Sequence, residues 1–212
     1  MTTPVPVNHR VVLATNNAKK LAELRRIVVE AAPDIQVLGL ADVTGYTEPA
    51  ETERTFEGNA LLKARACVAA TGLPALADDS GLAVDVLNGM PGVRSARWSG
   101  PDATDESNNA LLLGQLTDVP VADRGARFVC AMALVLPDGT EHVRRGEMAG
   151  HVARQPEGEH GFGYDPLFVA EGQTLSTAAM PPADKDAISH RGRAVRAIVP
   201  VLVAELRRTR TG

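Results

Sequence analysis

The chain has 212 residues and a mass of 22.3 kDa, and its 44% hydrophobic and 23% charged residues are typical of one ordinary globular protein. Its formal net charge of −4 excludes the basic surface that a nucleic-acid polymer requires but allows a local positive site for a small anion. Residues 1–10 lack the apolar core of a signal peptide, and no apolar run is long enough to span a membrane. Cys67 and Cys130 form no paired motif. These features predict a cytoplasmic enzyme with free, buried thiols.

Strands and helices are predicted to alternate in the first part of the chain. Residues 11–14 predict a buried strand, and apolar residues at spacings near 3.6 predict a helix that reaches residue 31. Residues 35–40 predict a second strand. A polar stretch over residues 42–54 then precedes a helix that begins at about Thr55.

Residues 77–82 are Ala-Asp-Asp-Ser-Gly-Leu, so two adjacent carboxylates lie between apolar runs. Carboxylates are rarely buried without a partner, because removing an ion from water costs several kcal/mol. In an extended segment neighbouring side chains point to opposite faces, so one Asp can face a site while the other binds backbone. The alternative is a strand end followed by an ordinary Asp/Ser/Gly turn.

In the later part of the chain the pattern predicts a loop-rich segment over residues 88–105 and a helix over residues 106–116. It then predicts strands over residues 127–136 and 141–147 and a last helix from Ser189. Residues 137–140, Pro-Asp-Gly-Thr, predict a hairpin turn and therefore an antiparallel pair. Pro200 should kink or split the last helix. With no repeats or linkers, the pattern predicts one α/β domain over residues 1–212 with a mixed sheet.

Two predicted helices begin with cations where acids are expected. Residues 15–20, Thr-Asn-Asn-Ala-Lys-Lys, contain no acid, and residues 189–193, Ser-His-Arg-Gly-Arg, contain none either. Cations at a helix N-terminus are unfavourable, whereas an anion bound there would interact with both the cations and the free amides. These two starts together favour a polyanionic ligand. The alternative is that the cations are solvated, with Lys19 paired to Glu23.

A polyphosphate held for chemistry usually requires Mg²⁺, bound by one or two carboxylates and several waters. The candidate ligands are the acids near predicted turns, namely Glu48, Glu51, Glu53, Asp78 and Asp79. For any one of the glutamates, a solvated loop acid is the alternative.

Residues 161–166, Gly-Phe-Gly-Tyr-Asp-Pro, place two aromatic residues between glycines in a chain that is only 3% aromatic. Glycine lets a backbone approach a ligand closely, and an aromatic ring provides a stacking surface for a base. The alternative is a tight turn that anchors Phe162 in the core. His190 is equally consistent with a ligand contact and with a capping or packing role.

Six segments, in this order, resemble the inosine triphosphate pyrophosphatase family, the XTP/dITP diphosphatases that hydrolyse non-standard purine nucleoside triphosphates. The segments span nearly the whole chain and lie at residues 13–20, 51–60, 77–82, 91–98, 161–166 and 189–192.

The resemblance implies an α/β fold with an elongated mixed β-sheet and flanking helices, two lobes around a central nucleotide cleft, and a homodimer. It implies that Asp79 is the catalytic acid/base and that Asp79 and Glu51 bind Mg²⁺. The substrate-binding residues that it implies are Thr15, Asn16, Asn17, Ala18, Lys19, Lys20, Ser80, Phe162, Gly163, Tyr164, Asp165, Lys185, His190 and Arg191. Family members often have glycine at Asn16 and Lys19, and Asn tolerates the left-handed backbone that glycine allows.

The reaction implied is NTP + H₂O → NMP + pyrophosphate, with Asp79 accepting or orienting the proton of the attacking water. Hydrogen-bond donors facing the purine 6-keto oxygen would reject adenine. Two other functions remain as alternatives. One is a house-cleaning pyrophosphatase for other modified or pyrimidine triphosphates. The other is a non-catalytic nucleotide-binding module, against which the carboxylates argue, because a sensor needs no acid to activate water.

Overall fold

The computed structural model describes residues 9–208, except for the side chains of Lys19 and Glu23. Residues 1–8, which include most of the segment used for the signal-peptide prediction, lie outside the described residues. The strands are β1 (Arg10–Leu13), β2 (Gln36–Leu38), β3 (Ala75–Val84), β4 (Gly125–Val135), β5 (Glu141–Val152) and β6 (Phe168–Ala170). The helices are α1 (Ala18–Ala31), α2 (Phe56–Thr71), α3 (Asp105–Gln115), α4 (Pro182–Ile188) and α5 (His190–Arg208).

The six strands form one mixed sheet in the order β2-β1-β3-β4-β5-β6. β1 pairs in parallel with both β2 and β3, which requires the crossovers that α1 and α2 supply. β5 pairs with β6 in antiparallel orientation. The α/β class with a mixed sheet and flanking helices is therefore confirmed.

The described residues divide into two compact units, and β3, β4 and β5 each contribute residues to both. The first unit consists of residues 9–79, 131–145 and 193–208. It contains β1, β2, α1 and α2, and Val11, Val12 and Leu13 of β1 are almost completely buried. This burial is typical of a parallel strand that is covered on both faces.

The second unit consists of residues 80–130 and 146–192 and contains α3, α4 and β6. Its core is a cluster of buried apolar side chains, namely Leu82, Val84, Leu112, Leu116, Ala126, Phe128, Met148, Val152, Tyr164, Leu167, Phe168 and Ala170. Within this core the rings of Phe128 and Phe168 lie with centroids 4.7 Å apart. α3 is thereby packed through Leu112, and its C-cap residue Leu116 belongs to the same core.

Most predicted elements are confirmed, and the helix starts at Thr55 and Thr104 show why. Each Thr has extended backbone and its side chain accepts a hydrogen bond from the amide three residues later. The predicted hairpin is confirmed by Gly139, whose φ of +87° suits a tight turn, and by the bond from the Leu136 amide to the Thr140 carbonyl. The predicted second strand is shorter, because residues 40–42 form a 3₁₀ turn.

Of the two predicted effects of Pro200, a kink or a split, the split is wrong, since α5 continues from His190 to Arg208 with Pro200 inside it. Pro200 lacks the N–H that would bind the carbonyl of Arg196. Both residues are exposed, so water can bind that carbonyl in place of an amide. The helix therefore tolerates proline at a cost in stability and without a break.

Cys67 and Cys130 are both buried free thiols, as predicted. Burial raises the pKa of Cys67 to about 11. No helix within residues 9–208 is long and apolar enough to cross a membrane.

Candidate functional site

Asp78 and Asp79 lie in the middle of β3, which continues through both residues without a turn. The alternative of a strand end and a surface turn is therefore wrong. Both residues are buried, with 3% and 7% of their surface exposed. They bind residues of different helices, because Asp78 accepts a hydrogen bond from Lys20 of α1 and Asp79 accepts one from Asn59 of α2.

The turn between β1 and α1 is organised by its own side chains. The Thr15 hydroxyl accepts a hydrogen bond from the Asn17 amide, and Asn17 Oδ1 accepts one from the Lys20 amide, 3.2 Å away, which caps α1. α1 begins at Ala18, and its first turn contains no acid. Lys20 Nζ instead donates to Asp78 Oδ2 over 2.6 Å. Lys20 and Asp78 are thus a close, largely buried ion pair.

Two other predictions about this turn concern the backbone of Asn16 and the pairing of Lys19. Asn16 donates to Glu48 through an exposed hydrogen bond of 3.0 Å. Outside glycine, Asn88 alone has a positive φ within residues 9–208, so Asn16 does not adopt the left-handed conformation expected of a glycine position. The suggested pairing of Lys19 with Glu23 involves side chains that are outside the described part of the structure.

A cavity of about 270 Å³ opens beside this turn within the first unit. It is lined by residues 15–18, by Leu21 and Arg25 of α1, and by residues 39–42. Arg25 donates to the Val37 carbonyl and to Asp42, so its guanidinium is fixed. The start of α1 is therefore concave and open to small molecules.

Lys63 of α2 is the main charged residue that the sequence prediction missed. It is only 6% exposed and its Nζ donates to Glu51 Oε1 over 2.9 Å. Burial would lower the pKa of Lys63, but the Glu51 hydrogen bond and the nearby carboxylates raise it above its ordinary value. A signal was available, because Lys63 lies four residues after Asn59 and four before Cys67, on the buried stripe of α2.

Asn59 of α2 connects the acid-rich stretch to Asp79. Its side chain is fully buried, and its Nδ2 donates to Asp79 Oδ2 over 2.9 Å. Its Oδ1 accepts from the Glu53 amide over 3.0 Å. One amide therefore holds both the backbone of the polar stretch and the candidate catalytic carboxylate.

The pKa of Asp79 is raised from 3.8 to about 6, and burial is the main cause. The positive charge of Lys63 and the Asn59 hydrogen bond act in the opposite direction, whereas the carboxylates of Glu51 and Asp78 raise the pKa further. A carboxyl group with a pKa near 6 can accept a proton at neutral pH.

We call Glu51, Lys63, Asp78 and Asp79 together the acid cluster. The acid cluster provides the oxygen donors that Mg²⁺ prefers. Glu51 and Asp79 each interact electrostatically with Lys63 and with each other. Within residues 9–208 no group of three or more His, Cys, Asp or Glu side chains could hold a metal ion. Two carboxylates nevertheless fit Mg²⁺, which usually keeps several waters and takes only one or two protein carboxylates.

The glycine-flanked aromatic turn lies in the second unit and presents Phe162 to solvent. Phe162 is 46% exposed, so the alternative of a core anchor is wrong for this ring. Lys185 Nζ and Arg191 Cζ lie 5.8 and 5.6 Å from its centroid. An exposed ring flanked by two cations is suited to bind a planar, electron-rich group.

Tyr164 and Asp165 of this turn are both buried. Tyr164 is 3% exposed, and its hydroxyl donates to the Ser95 carbonyl over 2.9 Å. Asp165 is also buried and accepts hydrogen bonds from the Phe162 amide and the Thr177 hydroxyl, and it pairs closely with Lys185. Both side chains therefore hold the turn in place.

His190 stacks on Phe128, with centroids 4.9 Å apart and ring planes 11° apart. Ser189 caps α5, because its hydroxyl accepts a hydrogen bond from the Gly192 amide over 3.0 Å. α5 has no acid in its first turn, as predicted. The structure thus brings together Phe162, Lys185 and Arg191 directly, and Ser80 lies half-buried at the position after Asp79 in β3.

The sequence pattern of the Ham1 family matches residues 11–201. This chain belongs to the Ham1 family. Ham1-family relatives of high identity cover almost all of it. A dITP/XTP pyrophosphatase of Nocardia farcinica is 62% identical over 201 residues, covering 94% of this chain and 98% of the relative. A dITP/XTP pyrophosphatase of Cutibacterium acnes is 58% identical, with 93% and 98% coverage.

Solved Ham1-family structures agree with the fold. A nucleoside-triphosphatase, dITP/XTP pyrophosphatase, from Mycobacterium abscessus is 52% identical and covers 90% of this chain and 99% of its own, with a TM-score of 0.77. A HAM1 protein from Coxiella burnetii is 38% identical, covers 92% and 98%, and gives a TM-score of 0.85. The resemblance predicted from the six sequence segments is confirmed.

Proposed function

We propose that this protein is a nucleoside-triphosphate pyrophosphohydrolase that converts ITP, dITP and XTP to the monophosphate and pyrophosphate, and so removes non-standard purines from the nucleotide pool. The observation that carries the proposal is the buried Asp79, with a pKa of about 6, among the charged residues of the acid cluster. The names of the Ham1-family relatives support the substrate class, because they are dITP/XTP pyrophosphatases.

Asp79 acts as the base in this proposal. It accepts a proton from the water that attacks the α-phosphorus, or orients that water through the same oxygen. Asn59 supports this role, because its hydrogen bond to Asp79 Oδ2 fixes the orientation of the carboxylate. Fixed geometry matters because proton transfer requires a distance of about 2.6–3.2 Å.

Asp79 and Glu51 would hold Mg²⁺. When bound, Mg²⁺ neutralises charge on the phosphate oxygens and orients them for in-line attack. Lys63 keeps the carboxylates of the acid cluster close together without a metal, since its ammonium offsets part of their mutual repulsion. Asp78 supports the site from its pair with Lys20.

The turn formed by Thr15, Asn16, Asn17, Ala18, Lys19 and Lys20 is proposed to bind the triphosphate. A helix N-terminus whose first turn contains no acid favours an anion there, and α1 has such a start. Ser80, which follows Asp79 in β3, is proposed to contact the substrate as well. Stabilisation of the departing pyrophosphate by these donors would lower the barrier.

The purine is proposed to bind at the aromatic turn, with Phe162 as the stacking surface. Gly163, Tyr164 and Asp165 shape the turn, and Lys185, His190 and Arg191 lie on the elements that surround it. Donors facing the 6-keto oxygen would accept hypoxanthine and xanthine and leave adenine with unpaired groups.

Asp79→Asn tests the proposal directly. We expect it to reduce pyrophosphate release from ITP by about 10²- to 10⁴-fold, because it removes the proton acceptor. The assay measures pyrophosphate from a panel of NTPs with and without Mg²⁺, and circular dichroism checks the fold. The control is Asp85→Asn, because Asp85 is a 53% exposed acid just after β3.

Near wild-type turnover of the Asp79→Asn variant would exclude Asp79 as the base. Preference of the wild type for a pyrimidine would favour the house-cleaning alternative. No release from any substrate would favour a nucleotide-binding module without catalysis.

The family resemblance also supports three further proposals: a single ITPase-like domain, a homodimer and a cytoplasmic location. The homodimer predicts a solution mass of about twice 22.3 kDa. Sedimentation equilibrium measures this mass, and a concentration-independent value of one chain would contradict the homodimer.

A further inference from the structure

Both backbone polar groups of Gly163 are held by side chains on one face of α3. The Gly163 amide donates to Asp105 Oδ2 over 2.6 Å, and the Gly163 carbonyl accepts from Asn109 Nδ2 over 3.0 Å. Asp105 and Asn109 are four residues apart, so they lie on the same face of the helix. We call these two side chains the α3 clamp.

Gly163 separates Phe162 from Tyr164 in the aromatic turn. Its φ is +62°, and a Cβ built on it would meet no atom within 4 Å. Glycine is therefore required by the backbone conformation and not by lack of space. On one side of it Phe162 is exposed, and on the other Tyr164 is buried. The Gly163 backbone therefore helps to set where the Phe162 ring projects, together with the hydrogen bond from the Phe162 amide to Asp165.

Asn109 makes this contact at an energetic cost. It is only 8% exposed, and within the described part of the chain its Oδ1 has no hydrogen-bond partner. A buried, unpaired carbonyl oxygen is unfavourable, and an apolar side chain of similar size would avoid the penalty. The donor Nδ2 is the part of Asn109 that has a partner, and that partner is Gly163.

We propose that Asp105 and Asn109 are positioning residues that set base selectivity by fixing Gly163 and, through it, the Phe162 ring. The proposal rests on the function given above and deepens it, because it identifies residues that control recognition without touching substrate. Neither residue was among the sequence-predicted site residues, since both lie more than 50 positions from Gly163 along the chain.

Loss of the clamp has a defined kinetic consequence. A loosened turn weakens binding of the base in the ground state and in the transition state alike, so KM increases while kcat changes little. Discrimination between different bases also decreases, because a mobile Phe162 ring no longer holds the purine edge against fixed donors. A purely structural role would instead lower stability and active fraction without changing KM or selectivity.

The first experiment compares Asp105→Ala with Glu106→Ala and Asp105→Asn. Asp105 and Glu106 are adjacent exposed acids in the first turn of α3, so both alanine variants lose a similar helix-terminus interaction. We expect Asp105→Ala to raise KM for ITP by about 3- to 10-fold and to reduce the ITP/GTP ratio of kcat/KM. Asp105→Asn keeps an acceptor oxygen and should restore both values.

The second experiment compares Asn109→Ala with Asn108→Ala. Asn108 is buried to a similar extent, with 3% exposed, but its side chain binds the Ser99 amide and the Ala96 carbonyl. Both variants should lower the melting temperature, because each removes a buried amide. Only Asn109→Ala should raise KM and reduce the ITP/GTP ratio.

The outcomes separate this inference from the proposed function. If the wild type hydrolyses ITP and the clamp variants match their controls in KM and selectivity, the clamp is overturned and the proposed function stands. Equal losses of kcat and melting temperature in all alanine variants also overturn the clamp. If the wild type releases no pyrophosphate from any NTP, both proposals are overturned.

Discussion

At the scale of single residues, the positive charge of Lys63 balances part of the negative charge of the acid cluster. Glu51, Asp78 and Asp79 bring three carboxylates close to its ammonium, and the Lys63 side chain is only 7% exposed. In so buried an environment, removal of one partner leaves uncompensated charge. The same side chain therefore supports both the fold and the geometry of the proposed metal ligands.

Lys63→Met should lower the free energy of unfolding at pH 7 by about 3–5 kcal/mol, because it leaves buried carboxylates without their cation. Urea denaturation in the presence of a chelator measures this change. Arg65→Met is the matched control on the same helix, since Arg65 also pairs with a glutamate but its side chain is 55% exposed. Its expected cost is at most about 1 kcal/mol. Equal losses in the two variants would contradict the buried role of Lys63.

The raised pKa of Asp79 predicts how metal-free stability depends on pH. Asp79 binds its proton more tightly in the folded state, with a pKa of about 6, than in the unfolded state, with a value near 3.8. Its contribution is therefore fully favourable below about pH 4, is lost as pH rises to about 6, and stays lost above that. Asp79→Asn removes this titration.

In the presence of a chelator, Asp79→Asn should be more stable than wild type by about 1–3 kcal/mol at pH 7, and the difference should shrink towards zero near pH 4. Urea denaturation at both pH values measures it. A pH-independent difference between the two proteins would show that Asp79 does not titrate in this range.

At the scale of elements, α5 shows how a helix can retain an internal proline. α4 and α5 each contain a proline, but at different positions within the helix. Pro182 is the first residue of α4, where a missing N–H costs nothing, whereas Pro200 lies in the eleventh position of α5. The sequence placed Pro200 inside a helix correctly, but exposure decided whether the helix breaks.

Pro200→Ala should stabilise the protein by about 2 kcal/mol. Removal of proline from a helix interior gains about 3 kcal/mol, and the more flexible unfolded chain offsets up to about 1 kcal/mol of it. Differential scanning calorimetry should show an increase in Tm of about 2–8 °C for a chain of this size. Pro182→Ala is the control and should give no increase, since proline is favourable at the first helical position. A similar increase in both variants would contradict the positional argument.

At the scale of the whole molecule, the two thiols report on the integrity of the core. Cys67 belongs to the first unit and Cys130 to the second, and both are completely buried. Thiol reagents attack the thiolate, and burial raises the pKa of Cys67 to about 11. Modification therefore requires unfolding of the surrounding unit.

We expect no rapid reaction of the native protein with a disulfide reagent such as DTNB, and two reactive thiols per chain in urea. The rate of modification below the unfolding transition should follow the population of unfolded protein. One thiol that reacts in the native state within the mixing time would show that its unit opens locally.

The sequence alone determined the order of elements, because hydrophobic periodicity, Thr caps and turn residues act within a few positions. It also singled out the Asp78-Asp79 doublet and the exposed aromatic turn, since acids among apolar residues and glycine-flanked rings are local patterns. β6 and α4 were not predicted. The seven residues of α4 are too few to show a helical period, whereas the apolar run at residues 167–170 was a signal for β6 that the prediction missed.

Only the tertiary structure decided which partners these residues have. Lys20 meets Asp78 across 58 positions, Asn59 meets Asp79 across 20, and α3 reaches Gly163 across more than 50. Such contacts depend on which faces of helices and strands pack together, and this is set by burial of apolar surface over the whole chain. The sequence thus singled out the candidate acids, and packing decided which cations and amides contact them.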